Sequence, residues 1–324
     1  MCPGAAPPSA RTYRGRVTWL VRWDELPLAR SSVDRSAHRR GEEGLLERLL
    51  AEDSSRVLLS HRGRVAVVRA TGDAALDLRS PREPLVALAL SSEGVECFFL
   101  GTDAEASYLA LVLPEDAELP PGTDWANLRE VGEHLDARDA GLATTTVALA
   151  AWHGTHRFCP RCGSATSPSF AGWQRSCPRE GTELYPRTDP AVIMAVTDDE
   201  DRLLLGHARH WPERRFSTLA GFVEAGESAE QAVRREVLEE VSLPVGEVEY
   251  RGSQSWPFPA SLMLAFRARV TATQIQVDGV ELGEARWFDR PALQAAAQSG
   301  EVLLPGRASI ARALVEDWFG GTLP

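Results

Sequence analysis

The sequence predicts an α+β chain with two domain-sized parts and a short cysteine-rich segment between them. Three observations predict it. The 324 residues exceed one domain at roughly 150 residues per domain. Short strand-like stretches bounded by turn residues fill the first half, and strands with a long helix fill the second. Between them, residues 157–186 are dense in Cys, Gly, Pro and Ser and too poor in apolar residues to build a core, so a metal staple makes physical sense there.

In chain order, residues 1–40 are rich in Pro, Ser and Arg with one apolar run at 17–23, and are expected to be partly disordered. Residues 41–135 form a small α+β domain. It has a helix near 44–50 and strand-like stretches at 56–60, 65–70, 85–90 and 97–100, separated by turns such as His61-Arg62-Gly63 and Thr71-Gly72-Asp73. Residues 103–113 are apolar and fit either helix or strand. Residues 136–156 have helical spacing and link onward to the cysteines. In residues 187–324, strands are expected at 191–196, 203–206, 262–270 and 284–288, a long helix at 228–241 and a closing helix at 309–319.

Composition narrows the function. Acidic residues outnumber basic ones 46 to 35, for a net charge of −11, so the bulk field repels nucleic acid and anionic membrane. Every basic residue is Arg, which excludes Schiff-base and P-loop lysine chemistry. No run of about 18 apolar residues exists, and residues 1–16 carry no apolar signal-peptide core. Three of the five cysteines lie between 159 and 177, a metal-site pattern rather than a disulfide framework, and a reducing cytoplasm fits it.

The most informative stretch is residues 221–243. Ser228 and Gln231 form a capping-box pattern. Glu236, Glu239 and Glu240 then fall at i, i+3 and i+4, which puts three carboxylates on one helix face about 5–6 Å apart at Cβ. A hard divalent cation would reverse the repulsion, and Mg²⁺ can also hold substrate phosphates. Arg235, four residues before Glu239, is placed to orient it by a bidentate pair. A solvated acidic face would explain three glutamates alone, but not Gly221, Glu227 and Arg235 at fixed offsets.

The pattern resembles the Nudix box, matched at Gly221, Glu227, Arg235, Glu236, Val237, Glu239, Glu240 and Leu243. Ser242 departs from it, because the family usually has Gly there to end the helix at φ > 0. The resemblance implies an α/β/α sandwich over 187–324 that hydrolyses a nucleoside diphosphate linked to another group. A second segment, Ser253-Gln254-Ser255-Trp256-Pro257-Phe258-Pro259-Ala260-Ser261, resembles the Ser-Gln-Pro-Trp-Pro-Phe-Pro-x-Ser array of NADH pyrophosphatases. Trp256 and the prolines make a stiff surface for a flat ring, and Gln254 offers an amide to a base edge. A proline-stiffened loop with core aromatics is the plainer reading of the same residues. The resemblance also implies that Tyr185 and Phe222 lie against the nicotinamide, that Ser261 belongs to the substrate segment, and that Glu281 joins the metal site.

Cys159-x2-Cys162-Gly163 and Cys177 resemble a zinc ribbon. The fourth ligand position holds Glu180. His153 and His156, each more often a helix-surface histidine, are alternatives, as is a ribbon held by packing alone. Taken together, the resemblance implies a homodimer in which Glu236, Glu239, Glu240 and Glu281 hold Mg²⁺ or Mn²⁺. Its substrate would be NADH or NAD⁺, with removal of NAD caps from RNA as a second activity. A local Arg patch such as Arg209, Arg214 and Arg215 is a candidate to hold the RNA 5′ end, with plain solvated surface arginine as the alternative reading. ADP-ribose or diadenosine polyphosphate hydrolysis and a non-catalytic nucleotide sensor are the competing readings. The sensor leaves the intact glutamates unexplained.

Overall fold

The computed structural model describes residues 21–70, 73–117, 119 and 122–324. Most of the apolar run at 17–23, the Thr71-Gly72 turn and Cys2 lie outside the described residues.

The first sheet is built from β1 (Arg56–His61), β2 (Arg64–Ala70), β3 (Asp73–Leu76), β4 (Leu78–Arg79), β5 (Glu96–Thr102), β6 (Ser107–Leu113) and β7 (Asp124–Asn127). Its spine runs β3-β2-β1-β6-β5, with β1 and β6 parallel. Strand alternation divides the core in two. Val57, Leu59, Phe99, Leu109 and Leu111 face a cluster with α1 (Leu45–Ala51) and α2 (Pro84–Leu90). Leu58, Phe98, Leu100, Tyr108 and Ala110 face the long helix α4 (Ala137–Thr155), which follows the short α3 (Leu128–Val131). Residues 85–90, expected as a strand, are helix α2. Every position of that run is apolar, so periodicity is silent, while Pro84 at the first helical turn favours helix and Val86 and Ala89 bury one face.

The cysteine segment forms a small sheet of β8 (Ser167–Ser169), β9 (Gln174–Ser176) and β10 (Glu183–Leu184). The second large sheet comprises β11 (Asp189–Thr197), β12 (Leu203–Ala208), β13 (Leu219–Phe222), β14 (Val245–Trp256), β15 (Ser261–Val270) and β16 (Leu282–Phe288). Its order is β14-β15-β11-β12-β16, with β13 on β11, and β11 and β15 are parallel. Val192, Met194 and Val196 pack under α5 (Ala229–Val241). Ile193 and Ala195 pack against α6 (Arg290–Ser299) and α7 (Ile310–Phe319). This is the α/β/α sandwich that the resemblance implied.

Residues 21–40, expected to be partly disordered, act instead as a strap. Leu26 is buried in the core of the second sheet and Leu28 in that of the first. Arg30 donates to the carbonyls of Gly132 at 3.3 Å, Glu133 at 3.1 Å and Leu135. A polar segment with two leucine anchors is ordered by its contacts rather than by its own periodicity. No helix among the described residues is long and apolar enough to cross a membrane.

Ser242 ends α5 at φ 59° and ψ 29°, the left-handed conformation inferred for that position. An L side chain there costs on the order of 1 kcal/mol. Ser242→Gly is therefore expected to raise unfolding stability by up to about 1 kcal/mol, measured by urea titration. A loss of stability would show that the Ser242 hydroxyl bond to the Gln276 carbonyl, at 3.2 Å, outweighs the strain.

Candidate active site

Helix α5 begins with the expected capping box. Gln231 N–H donates to Ser228 Oγ and Ser228 N–H to Gln231 Oε1, both at 3.2 Å. The helix faces β13 at Gly221, where a Cβ would lie 1.9 Å from the Glu236 carboxyl carbon. Glycine is thus required there by close approach, and the carboxylate sits directly against the sheet.

Arg235 is the hub of the site. It clamps Glu227 with two bonds of 2.9 Å, from Nε and one terminal nitrogen. Its other terminal nitrogen donates to Glu236 at 2.8 Å and Glu239 at 3.1 Å. A further bond of 2.9 Å reaches the Phe222 carbonyl and ties the helix to β13. The bidentate partner is therefore Glu227, not Glu239, because the loop before the helix returns Glu227 to the guanidinium fork. That pairing holds the Glu227 carboxyl below its ordinary range.

Glu236 and Glu240 are one turn apart and buried, while Glu239 is exposed. Burial first, and then the charges of Glu236, Glu281, Asp278 and Glu239, push Glu240 up to about 8. Its Oε2 is buried without a hydrogen-bond partner. Burial also raises Glu236, against the pull of Arg235. Glu281 lies on the exposed loop before β16, close enough for its charge to act on both. Asp278, which sequence reading missed, shapes this loop. Its carboxylate accepts the N–H of Glu281 at 2.9 Å and of Leu282 at 3.0 Å. Its own N–H donates to the Glu240 carbonyl at 3.1 Å. An Asp-Gly pair three residues before a Glu was the available signal. The charges of four neighbouring carboxylates act on Glu240, whose buried oxygen lacks a partner; the chemistry suits a hard divalent cation, although the carboxylate oxygens do not converge as the cysteine sulfurs do.

A cavity of about 440 Å³ opens over Glu240 and Glu281. A second, of about 250 Å³, is lined by Trp256 and Arg129. Trp211, Ser217, Thr218 and Ala220 line both, so the acidic and aromatic ends share one wall. Trp256 ends β14 opposite Ser261, with the Phe258 ring edge-on at 5.0 Å. The Arg129 guanidinium lies over Phe258 at 4.2 Å and Trp256 at 5.5 Å. Trp211 and Arg129 were not foreseen, because a lone aromatic in a turn and an arginine far away in sequence carry no motif.

Gln254 does not present its amide to a base edge. It is buried, accepts the Leu28 N–H at 3.3 Å and donates to the Ala308 carbonyl at 3.0 Å. Alternation along β14 turns it inward, where it ties the strap to the segment before α7. Tyr185 and Phe222 line neither cavity and are 62% and 58% exposed, so they are not core residues.

The three cysteine sulfurs lie within 4.8 Å of one another, with Cys162 and Cys177 at 3.5 Å. Two equivalent turns create the cluster. Gly163 N–H donates to the Cys159 carbonyl and Gly181 N–H to the Cys177 carbonyl, each at 2.9 Å. Glu180 thus occupies in the second turn the place of Cys162 in the first, although its carboxylate faces Arg161 at 3.7 Å and does not join the sulfur cluster. Three convergent thiols fit a zinc ion. His153 is not a helix-surface residue. It is fully buried, with its ring nitrogens 2.8 Å from the Gly172 carbonyl and 2.7 Å from Arg175, which leaves no atom for a metal. His156 also stays outside the cluster, with Nδ1 beside Thr155 and the Trp152 carbonyl.

An α/β/α sandwich whose capped helix carries arginine-bridged carboxylates over an acidic cleft defines a Nudix-type domain. Comparison with known proteins agrees. The NUDIX domain family matches residues 187–305, the NADH pyrophosphatase zinc ribbon domain 155–185, and the NADH pyrophosphatase-like rudimentary NUDIX domain 54–152. The NAD-capped RNA hydrolase NudC of Mycobacterium tuberculosis is 39% identical over 83% of this chain and 85% of its own. The human NAD-capped RNA hydrolase NUDT12 is 39% identical over 57% of this chain and 43% of its own. The chain belongs to the NADH pyrophosphatase family of Nudix proteins.

The raised Glu240 carboxyl makes metal-free stability depend on pH. Its folded value of about 8 lies above its ordinary value of 4.5, so stability is fully present below that ordinary value and lost as pH rises toward 8. In EDTA, Glu240→Gln should be more stable than wild type at pH 8, and the gap should close toward pH 5. Denaturant titrations at both pH values check this, and a gap independent of pH would contradict it.

Proposed function

We propose that the chain uses Mg²⁺ or Mn²⁺ to hydrolyse the diphosphate bond of NADH or NAD⁺, giving reduced or oxidised nicotinamide mononucleotide and AMP. The same chemistry would remove NAD caps from RNA 5′ ends. The observation that carries this reading is the single wall joining the buried carboxylates to Trp256. A dinucleotide needs both ends at once: cations for its diphosphate and an aromatic face for a ring.

In this reading Glu236, Glu239, Glu240 and Glu281 hold the cations. When bound, the cations offset the diphosphate charge and acidify water. Arg235 keeps Glu236 and Glu239 in place from behind. One carboxylate of the cluster accepts the proton of the attacking water, which adds to phosphorus as the bridging oxygen leaves. Trp256, with Arg129 beside it, stacks on a base, and Trp211 forms the shared wall. Tyr185 and Phe222 offer exposed rings to the nicotinamide, and their exposure also supports a homodimer that covers them. Cys159, Cys162 and Cys177, with Glu180 swung from Arg161, hold one zinc ion whose role is structural. Cysteines that serve a metal rather than disulfides fit a reducing cytoplasm.

Incubation with NADH and Mg²⁺ should yield reduced nicotinamide mononucleotide and AMP by chromatography. Glu240→Gln should lower turnover by roughly 10²–10⁴-fold while folding normally. Preference for ADP-ribose over NADH, or full activity in Glu240→Gln, would overturn the assignment.

A further inference from the structure

We propose that residues 209–215, within the loop between β12 and β13, are a track for the phosphodiester chain of an RNA whose 5′ cap occupies the cleft. Arg209, Arg214 and Arg215 supply its cationic contacts. The proposal rests on the NAD-cap reading above and deepens it by naming the surface that takes the rest of the RNA.

The chain is acidic, at −11, and many of its arginines are committed to carboxylates. Arg235 holds Glu227, Arg267 reaches Asp317, Arg269 pairs with Asp199, and Arg286 bridges Glu284 and Glu301. The three loop arginines differ. Among the described residues none of them has a carboxylate within ion-pair distance. Arg209 donates to the Gly279 carbonyl at 2.5 Å and Arg214 to the Gly300 carbonyl at 3.0 Å. Arg215 lies over the Trp211 ring at 5.2 Å. Seven residues thus carry three unneutralised guanidinium groups against one carboxylate, Glu213. The face of Arg215 is used by the ring, and the donors on its edge stay open to phosphate oxygens.

Position adds direction to charge. Arg209 lines the cavity over Glu240 and Glu281. Trp211 spans both cavities, and Arg215 lines the aromatic one. Arg214 is exposed and lines neither. All three cations are thus exposed on one loop, two at the edges of the cavities and Arg214 outside both. The loop is braced: Gly206 and Ser217 exchange backbone bonds of 2.8 and 2.9 Å, and Leu303 N–H meets the Arg214 carbonyl at 2.7 Å. Fixed cations beside an indole face match the needs of a single strand: charge along the backbone and a platform for a base. Free NADH presents only its diphosphate, which the carboxylate-held cations meet. A capped RNA adds a row of phosphates leaving from the adenosine, and the remainder of the acidic surface would repel them.

The test compares kcat/KM for NADH, NADPH and a short NAD-capped RNA across a salt series, in wild type, Arg214→Gln and Arg214→Gln/Arg215→Gln. In the double variant, the ratio of capped-RNA to NADH efficiency should fall about ten-fold. Its salt slope on capped RNA should flatten by about 1.4, and that of Arg214→Gln alone by about 0.7. The NADPH to NADH ratio should stay in place. An unchanged capped-RNA ratio and slope would overturn the track. So would an equal fall on NADPH, which would mark a subsite for a single ribose phosphate. Wild type that cleaves NADH but not capped RNA would overturn the cap reading itself, independently of the arginine variants.

Discussion

The rest of the site depends on crowding carboxylates into one place with, among the described residues, one arginine to hold them. Arg235 binds Glu227, Glu236, Glu239 and the Phe222 carbonyl at once. It leaves Glu240 buried and unpartnered on one oxygen. Each neighbouring feature follows from this constraint. Gly221 lacks a side chain because the Glu236 carboxylate fills the space. The capping box fixes where the helix starts, and so the angle at which its carboxylates project. Asp278 folds its loop by accepting the Glu281 N–H, which adds the charge of Glu281 to those acting on Glu240. Such an arrangement is unfavourable by itself, and that is what supports the proposed cation site.

The first domain repeats the layering of the second without its acidic helix. Both sheets alternate their side chains between two helical layers. The first domain instead supplies the cleft with Arg129, and its core takes in Trp256 and Phe258 from the β14–β15 hairpin. The strap at residues 21–40 and the buried Gln254 amide couple the two units. A substitution at Gln254 thus acts through the seat of Trp256 and the segment before α7.

Helix α5 was legible in the sequence because cap, charge spacing and apolar face all point the same way, and the left-handed end at Ser242 could be read from one departing residue. Helix α2 was not, since a run that is apolar at every position carries no period. An amide in a motif looks like a reader of bases, and the sequence alone points Gln254 at the substrate. Its burial is a tertiary fact that pairs it with Leu28, 226 residues away. Trp211, Arg129 and Asp278 gain meaning only when the cleft assembles. His153 looked like a surface residue on a helix and lies instead at a junction of α4, β9 and β5, stacked on Phe98.

A divalent cation held by the glutamates, as proposed, has to displace the proton that burial and acidic neighbours favour on Glu240. The direct measurement is calorimetric titration of Mn²⁺ into metal-free protein at pH 7, in several buffers of different ionisation enthalpy. With Glu240 pushed up to about 8, cation binding should release close to one proton per cluster, and Glu240→Gln should abolish that release. Binding with no proton release in wild type would mean that the buried carboxylate is already ionised, and that the cluster is not organised as described.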